Sequence, residues 1–305
     1  MSLTQIGFDE GEALLDWRGL TDALAAGHAL PKAEVGDTFL YRGKDTLLSR
    51  SAWIDGLGLA VKTATIFPGN DAHNLPAING AVSLFSDDTG LLEALVDFHL
   101  VTKWKTAGDS LLGARRLANP DAQEILIVGA GTVAGTLIEA FSAIWPQAQL
   151  RVWNRTSARA EELVQAYPGA LVAPDLEAAV RAADIILTST MSTEPVVKGD
   201  WLRPGQHLNM IGAYRPDMRE ADDRALQVAK IYCDSFDTTL DHIGEFKIPL
   251  ASGVLARSDV LADFYVIDQF PAWNPEEITL FKNGGGAHLD LMTSRHILDL
   301  WMGRQ

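Results

Sequence analysis

The spacing of hydrophobic residues predicts different kinds of element in the first 118 residues and in the rest of the chain. Leucines that recur every three to six residues predict a helix over residues 11–30. Further along, the pattern predicts strands at 38–42 and 57–67, a turn-rich segment at 68–76, two strands joined by a turn over 81–95, and an amphipathic helix over 97–118. Asn119-Pro120-Asp121 then breaks the chain, and we place the first domain boundary there.

Beyond this break, predicted strands alternate with predicted helices. The continuous apolar run at 124–131 ends in glycines, as expected of a strand buried on both faces. Further strands are predicted at 149–153, 184–190, 207–213 and 230–235, and helices at 133–144, 157–167 and 176–183. Strands alternating with helices predict the α/β class, with a Rossmann-type doubly wound parallel sheet.

Composition and charge narrow the range of partners. Apolar residues make up 47% of the chain, and 40 acidic against 25 basic side chains give a formal charge of −15. A surface this acidic repels a phosphate backbone, so we expect no nucleic-acid partner. The longest apolar stretch, 125–138, is shorter than the roughly 18 residues that a membrane span needs. With a single cysteine, Cys233, and no signal-peptide pattern, we expect a soluble cytoplasmic protein without a membrane partner.

A glycine-rich turn lies between the first strand and the first helix of the second part. Gly129-Ala130-Gly131-Thr132-Val133-Ala134 fits the pattern G-x-G-x-x-A. In dinucleotide-binding proteins the first glycine makes a tight turn and the second lets backbone N–H groups approach the pyrophosphate. A small third residue lets the helix pack closely on the strand. Since a strand and a helix flank the turn, the sequence predicts a dinucleotide site rather than a purely structural turn.

The end of the next strand bears on the choice between NAD and NADP. NAD sites usually carry an acidic residue here that bonds the ribose 2′-hydroxyl. This chain has Asn154, Arg155 and Thr156 instead, with Arg159 shortly after. Cations and hydroxyl donors suit a 2′-phosphate, so the sequence favours NADP(H) over NAD(H). The alternative is that Arg155 is a solvated surface arginine.

A series of short motifs resembles the ornithine cyclodeaminase/mu-crystallin family over about residues 50–300. In chain order the matching segments are Val61-Lys62-Thr63, Pro68-Gly69-Asn70, Asn74-Leu75-Pro76, Thr102-x-x-Lys105-Thr106-Ala107, Ile127-Val128-Gly129-Ala130-Gly131, Trp153-Asn154-Arg155-Thr156, Thr193-Glu194-Pro195-Val196, Asn209-x-Ile211-Gly212-Ala213, Tyr232-Cys233-Asp234-Ser235 and Thr279-Leu280-Phe281-Lys282. The resemblance implies a discontinuous α+β dimerisation and substrate domain, residues 1–118 and 288–305, around a Rossmann domain, residues 119–287. It also implies a homodimer and a nicotinamide that faces the first domain across a cleft.

The chemistry shared by this family is hydride exchange between a nicotinamide and the Cα of an amino or imino acid. Lys62 matches the family lysine, and Lys105 stands where the family usually has an arginine that holds the substrate carboxylate. The resemblance therefore implies that Lys62 and Lys105 are catalytic, although lysine lacks the planar fork of arginine. A lysine at the end of an apolar strand needs a partner, which is either the substrate or a structural acid.

The resemblance suggests further site residues. The candidate substrate contacts are Lys32, Asn79 and Tyr214, and the cofactor contacts are Gly129, Gly131, Thr132, Val133, Ala134, Asn154, Arg155, Thr156, Arg159, Thr190 and Gly212. Cyclodeaminases place an aspartate where this chain has Tyr214, and Asp217 could replace it only if the loop is rearranged.

Two turn-rich segments are open to a structural or a functional interpretation. His73 and Asn74 either line the cleft implied by the family or belong to a surface loop. Gly284-Gly285-Gly286, ahead of Asp290, looks like a phosphate cradle, and it either contacts a ligand or is a structural turn. The histidines and Cys233 have no zinc-binding spacing, so we expect no metal.

These observations favour an NAD(P)H-dependent reductase of a small, cyclic imino acid such as Δ1-pyrroline-2-carboxylate. Cyclodeamination requires an internal acid or base in addition to hydride transfer, whereas imine reduction requires mainly a bound, protonated imine and a positioned hydride. The alternatives are an ornithine cyclodeaminase, an alanine-type amino-acid dehydrogenase, and a non-catalytic NADP-dependent ligand-binding protein.

Overall fold

The computed structural model describes residues 3–73 and 75–304. The chain divides into two compact units. One unit contains the chain up to Thr106 together with the chain from Gly286 onward, and the other runs from Ala107 to Gly285. The first division falls inside a helix, Phe98–Leu117, whereas the sequence places its boundaries at 118/119 and 287/288.

The strands are β1 (Thr4–Ile6), β2 (Glu34–Arg42), β3 (Asp45–Ile54), β4 (Gly58–Ile66), β5 (Ile78–Phe85), β6 (Leu92–Asp97), β7 (Glu124–Val128), β8 (Gln149–Trp153), β9 (Leu171–Val172), β10 (Ile185–Thr188), β11 (His207–Met210), β12 (Lys230–Cys233), β13 (Val260–Ala262) and β14 (Thr279–Lys282). The helices are α1 (Phe8–Glu12), α2 (Trp17–His28), α3 (Phe98–Leu117), α4 (Thr132–Ile144), α5 (Ser157–Ala166), α6 (Leu176–Ala182), α7 (Asp223–Val228), α8 (Phe236–Thr239), α9 (Gly244–Ser252) and α10 (Ala287–Met302). Short 3-10 helices span Pro68–His73, Gly199–Trp201, Arg257–Asp259 and Phe264–Gln269.

The first unit is built on a sheet in the order β1-β6-β5-β4-β3-β2. Neighbours from β2 to β6 are antiparallel, and β1 joins β6 in parallel. Alternate residues of β4, Ala60, Lys62 and Ala64, are buried, whereas the residues between them are partly exposed. This period of two is that of a sheet covered on one face. Helices α2 and α10 pack on each other, and α10 also contacts strands β2 to β5.

The second unit is built on a parallel sheet in the order β13-β12-β14-β11-β10-β7-β8-β9. From β7 the chain first adds β8 and β9 on one side and then β10 and β11 on the other. The order therefore reverses between β7 and β10, which is the point where doubly wound sheets bind ligands. The predicted Rossmann sheet is confirmed.

The core of the second unit explains why its strands are almost continuously apolar. Residues of β7, β10 and β11 are buried on both faces, and side chains such as Leu126, Ile186 and Leu208 belong to one hydrophobic cluster. The hydrophobic pattern did not predict β1, β3, β9, β13 and β14, most of which are short strands that lack a run long enough to show a period. No helix in the described part of the chain is long and apolar enough to cross a bilayer.

Candidate active site

In the first unit, a buried lysine on β4 contacts two polar partners. The Nζ of Lys62 donates to Oδ1 of Asp290 at 2.9 Å and to Oγ1 of Thr102 at 2.7 Å. Thr102 gives its own hydrogen to the Phe98 carbonyl, so its oxygen accepts from the lysine. The ammonium also lies 4.7 Å from the centre of the Phe98 ring. These two bonds use two of the three N–H groups of Lys62, and the third has no hydrogen-bond acceptor within residues 3–73 and 75–304.

Asp290 lies in the first turn of α10 and is fully buried. Its Oδ1 lies 3.7 Å from the Nζ of Lys105, in addition to its bond with Lys62. Its Oδ2 is buried and has no hydrogen-bond partner among residues 3–73 and 75–304. Burial alone would raise the pKa of Asp290, but the charges of Lys105, Lys62 and Arg50 outweigh burial and lower that pKa. Asp290 is therefore a carboxylate shared by two predicted catalytic lysines.

The same cluster brings Lys62 close to titration at physiological pH. Burial lowers the pKa of Lys62 to about 8, and the positive charges of Lys105 and Arg50 act in the same direction. Asp290 opposes this shift, but does not cancel it. His288 lies two residues before Asp290 on α10. Burial is the main reason that its pKa is well below the usual range, so its imidazole is neutral.

Arg50 belongs to this cluster and was missed by the sequence analysis. It lies on β3 directly opposite Lys62 on β4, so both side chains are on the same face of the sheet. Its guanidinium donates to both oxygens of Asp37 at 2.8 to 3.1 Å. Burial opposes the charged form, but Asp37 and then Asp290 raise the pKa of Arg50. The sequence shows Arg50 as the one arginine in the half-apolar segment 45–54. Because this segment was not predicted to be a strand, the pairing of Arg50 with Lys62 could not be predicted either.

The other predicted site residues of the first unit are not part of the cluster around Lys62 and Asp290. Asn79 pairs with Thr65, whereas Val82 pairs with Lys62, so the side chain of Asn79 points to the opposite face of the sheet. Its amide donates to the Pro76 carbonyl at 3.0 Å. Lys32 and His73 are exposed, Lys32 ahead of β2 and His73 at the end of a 3-10 helix. Asn74 lies outside the described residues.

In the second unit, the predicted dinucleotide turn follows β7. Gly129 has φ +122°, and a Cβ there would lie 2.8 Å from the Ser189 carbonyl, so this position requires glycine. Gly131 begins α4, and a Cβ there would meet no atom within 4 Å, so the space above the helix N-terminus is open. Ala134 is fully buried. The turn therefore has the small residues and the open helix end that a pyrophosphate requires.

The end of β8 carries cations and no carboxylate. Arg155 and Arg159 are exposed, and neither forms an ion pair within the part of the chain that the structure describes. The Asn154 amide donates to the Thr156 carbonyl at 2.9 Å, and Thr156 begins α5. The turn and this strand end belong together, because the Trp153 carbonyl accepts from the Gly129 N–H at 2.8 Å.

Thr190 and Gly212, predicted to contact the cofactor, are brought together by a carboxylate that the sequence analysis missed. Oε1 of Glu220 accepts from the backbone N–H and the hydroxyl of Thr190 at 2.7 and 2.8 Å. Its Oε2 accepts from the backbone N–H groups of Gly212 at 2.7 Å and Ala213 at 3.2 Å. These residues follow β10 and β11, at the carboxyl edge of the sheet.

The glycine segment 284–286 is a structural turn at two of its positions. Oδ2 of Asp234 accepts from the backbone N–H groups of Gly284 at 2.9 Å and Gly285 at 2.6 Å. A Cβ at Gly284 would lie 2.5 Å from the Thr239 hydroxyl, so glycine is needed for packing. Because Asp234 already binds these two amides, they are not a phosphate cradle.

The loop after β11 has an exposed aromatic residue in the position where cyclodeaminases carry an acid. Tyr214 is 59% exposed. The nearby Asp217 accepts two bonds from Arg215, at 2.9 and 3.0 Å. The hydrogen bond from Arg215 lowers the pKa of Asp217. The carboxylate is thus tied to its neighbour and held in its charged form.

Comparisons with known proteins agree with this architecture. The family model for the ornithine cyclodeaminase/mu-crystallin family matches residues 53–305. The chain is 45% identical to the Δ1-pyrroline-2-carboxylate reductase of Paracoccus denitrificans, over 98% of this chain and 97% of that protein. The reductase of that name from Thermococcus litoralis, solved with NADH and L-proline, has the same fold, with a TM-score of 0.88 at 24% identity over 99% of this chain and 98% of that one.

A second solved structure has the same fold along the whole chain. It is an archaeal alanine dehydrogenase dimer with bound NAD, with a TM-score of 0.88 and 27% identity, covering 100% of this chain and 97% of that one. The family model spans well over half of the chain, and the Paracoccus relative matches almost all of it. The chain therefore belongs to the ornithine cyclodeaminase/mu-crystallin family, as its motifs predict.

Proposed function

We propose that this protein reduces a small cyclic imino acid, with Δ1-pyrroline-2-carboxylate as the first substrate to test, using NAD(P)H. The observation that carries this proposal is the buried Lys62, which is bonded to Asp290 at 2.9 Å while Asp290 also lies near Lys105. The relative with 45% identity over nearly the full length is named for this activity, which supports the assignment. Reduction of this cyclic imine adds a hydride to carbon and a proton to nitrogen and yields proline.

The charge of the cluster suits a substrate with one carboxylate. Three cations, Lys62, Lys105 and Arg50, lie around the two carboxylates of Asp290 and Asp37, which leaves one positive charge in excess. An anionic substrate would balance that charge, and each charge-assisted hydrogen bond contributes about 1.5–3 kcal/mol. In this proposal Lys105 takes the place of the family arginine as a point charge. Arg50 adds positive charge, although its Nε and Nη2 groups are already bound to Asp37.

Lys62 is the best candidate to hold the proton at the imine nitrogen. Asp290 and Thr102 fix two of its N–H groups, so the third is directed by the remaining tetrahedral position. A pKa of about 8 leaves the ammonium mostly protonated at neutral pH but able to lose its proton. Asp290 then stabilises the charged form of Lys62 in the protein without substrate.

The cofactor belongs to the second unit in this proposal. The residues that would hold it are Gly129, Gly131, Thr132, Val133 and Ala134 around the turn, Asn154, Arg155, Thr156 and Arg159 at the end of β8, and Thr190 and Gly212 on the next loops. A bound nicotinamide dinucleotide supplies the hydride. Arg155 and Arg159 are exposed where NAD sites carry an acid, which favours NADPH over NADH.

Cyclodeamination is less well supported by the loop after β11. Expelling ammonia needs a residue that acts as base and then as acid near neutral pH. Tyr214 carries a phenol in place of a carboxylate. Asp217 is paired with Arg215, whose hydrogen bond lowers the pKa of Asp217 further from neutrality. Imine reduction requires no second acid or base of this kind.

One assay separates the candidate functions. Purified protein is incubated with NADPH or NADH and a panel of cyclic imines, linear imino acids, ornithine and alanine. Oxidation of the cofactor by cyclic imines supports the reductase. Release of ammonia and proline from ornithine would show a cyclodeaminase, and pyruvate from alanine would show a dehydrogenase. Cofactor binding without turnover of any compound would leave a ligand-binding protein.

We also propose a homodimer formed through the open face of the first sheet. Leu40, Leu47 and Trp53 lie on the face opposite Lys62 and are 60%, 39% and 48% exposed. Leu40 pairs directly with Leu47, and exposed apolar side chains grouped on a sheet face favour a protein contact. The archaeal alanine dehydrogenase with the same fold is described as a dimer. A cytoplasmic location stays a prediction from the single cysteine, Cys233.

A further inference from the structure

The carboxylate of Glu220 joins two loops of the second unit. It accepts four hydrogen bonds of 2.7 to 3.2 Å, from the backbone and hydroxyl of Thr190 on one loop and from the backbone of Gly212 and Ala213 on the other. The side chain is fully buried. Its four acceptor sites are thus all used within the protein, and none is aimed at solvent.

The two loops approach so closely that only glycine fits at position 212. A Cβ on Gly212 would lie 1.9 Å from the Thr190 carbonyl and 2.5 Å from Oε1 of Glu220. The loops follow β10 and β11, next to the point where the order of the parallel strands reverses. Ligands of doubly wound sheets bind at this edge, so the shape of the two loops determines the shape of the site.

Glu220 is itself held in place from behind. Its backbone N–H donates to Glu245 at 2.6 Å, and the next N–H, of Ala221, donates to Glu245 at 3.2 Å. The fully buried Lys282 donates to the carbonyls of Met210 and Asn283 and supplies positive charge to the carboxylates. Burial, followed by repulsion from Glu220, raises the pKa of Glu245 to about 7. The buried Lys282 thus provides a positive charge near the two buried carboxyl groups of Glu220 and Glu245.

We propose that Glu220 is a positioning residue for the dinucleotide site. This inference rests on the proposed function. In it, Glu220 fixes the backbone of Thr190 and Gly212 before the cofactor binds, and Glu220 does not contact the cofactor itself. Without the carboxylate, both loops would have to be ordered at the moment of binding, and that cost would weaken affinity. Because the effect acts on the backbone, NADPH and NADH should lose affinity by the same factor.

The test compares Glu220→Gln with Asp263→Asn. Glutamine keeps the shape but presents an NH₂ group to backbone donors. Asp263 is a matched control, since it is also buried and accepts backbone N–H bonds, from Phe236 and Tyr265, away from the two loops. Dissociation constants for NADPH and NADH are measured by titration of cofactor fluorescence, alongside the melting temperature. We expect both constants to rise about 10- to 100-fold in Glu220→Gln only.

Hydrogen exchange of the native protein provides a second measurement that needs no variant. In cofactor-free protein the amides of Thr190, Gly212 and Ala213 should already be protected, as bonds to a buried carboxylate require. Fast exchange of these amides would overturn the proposal even if Glu220→Gln failed to fold. Unchanged affinity in Glu220→Gln, or an equal loss in Asp263→Asn, would also overturn it. Native protein that binds neither dinucleotide would instead contradict the proposed function, and this inference with it.

Discussion

The Lys62 ammonium and the Asp290 carboxylate lie 2.9 Å apart although 228 residues separate them in the chain. One comes from the middle of an antiparallel sheet and the other from the first turn of the last helix. Each is almost entirely buried, so each depends on the other for compensation of its charge. The pair links the two chain segments that form the discontinuous first unit.

Removing the charge of Lys62 should affect turnover more than stability. We expect Lys62→Met to lower the rate of imine reduction by about 100-fold or more, the scale of losing a positioned proton donor. The melting temperature should change little, because Lys105 still lies 3.7 Å from Asp290 and keeps it paired. Steady-state kinetics and thermal unfolding measure the two effects.

Lys103→Met is the matched control for this prediction. Lys103 is on the same helix as Lys105 but pairs with Glu12 at 2.7 Å near the surface. Its replacement should leave imine turnover unchanged. Lys62→Met could instead destabilise the protein, while the fraction that remains folded keeps the specific activity of native protein. That result would show that Lys62 is structural and not catalytic.

The activity should fall as pH rises through the pKa of Lys62. The protonated form is the one proposed to act, so kcat/KM is full below pH about 8 and is lost above it. Asp290 raises the pKa of Lys62, so Asp290→Asn should move this decline to lower pH. Initial rates at low imine concentration give kcat/KM against pH for native protein and for Asp290→Asn. The range from pH 6 to 10 covers roughly two pH units on either side of the expected midpoint of native protein.

The titration of the imine substrate offers an internal control, since it is the same for native protein and variant. A decline at the same pH in both would assign it to the substrate rather than to Lys62. In that case the proposed role of the lysine as proton donor would not stand.

Replacing Arg155 should change the choice of cofactor. In Arg155→Ala the dissociation constant of NADPH should rise by about 10- to 150-fold, because a charge-assisted bond to a phosphate is lost, while that of NADH stays nearly constant. Arg181→Ala, which removes a surface arginine paired with Glu177, serves as control. An equal loss for both cofactors would mean that Arg155 does not contact the 2′-phosphate.

The unmodified protein should lack ornithine cyclodeaminase activity, because Tyr214 replaces the family acid. Tyr214→Asp should reduce imine turnover modestly and could add weak ammonia release from ornithine. Asp217→Asn should leave imine reduction unchanged, since its carboxylate is already bound to Arg215. Ammonia and proline from ornithine with native protein would show that another carboxylate supplies the acid.

The open face of the first sheet should be covered in solution. Light scattering should give about twice the chain mass of 33.1 kDa. Leu40→Glu should shift the protein toward monomer, because a charge would be buried in the contact. Leu171→Glu is the control, as Leu171 is 44% exposed on β9 of the second unit. A native monomer, or an equal effect of both changes, would contradict the proposed dimer face.

The backbone of the glycine turn after β7 could be predicted from sequence because every residue in it is local. Gly129 and Gly131 follow one apolar strand and precede one helix, and the strand end at Asn154 comes about one helix later. Within such a βαβ unit, hydrophobic period and glycine positions determine the backbone directly. The absence of an acid beside Arg155 needed no tertiary information either, and the family motifs extended these local matches along the chain.

The charge pairs and loop contacts were decided only by tertiary structure. Arg50 joins Lys62 through strand register, Asn79 is turned to the opposite face by the same register, and Asp234 occupies the glycine amides that resembled a phosphate cradle. Nothing periodic in the sequence marks Glu220 as the group that binds Thr190 and Gly212. Local patterns specify how a segment bends and which side is buried, whereas the partner of a buried charge depends on which distant segments pack beside it.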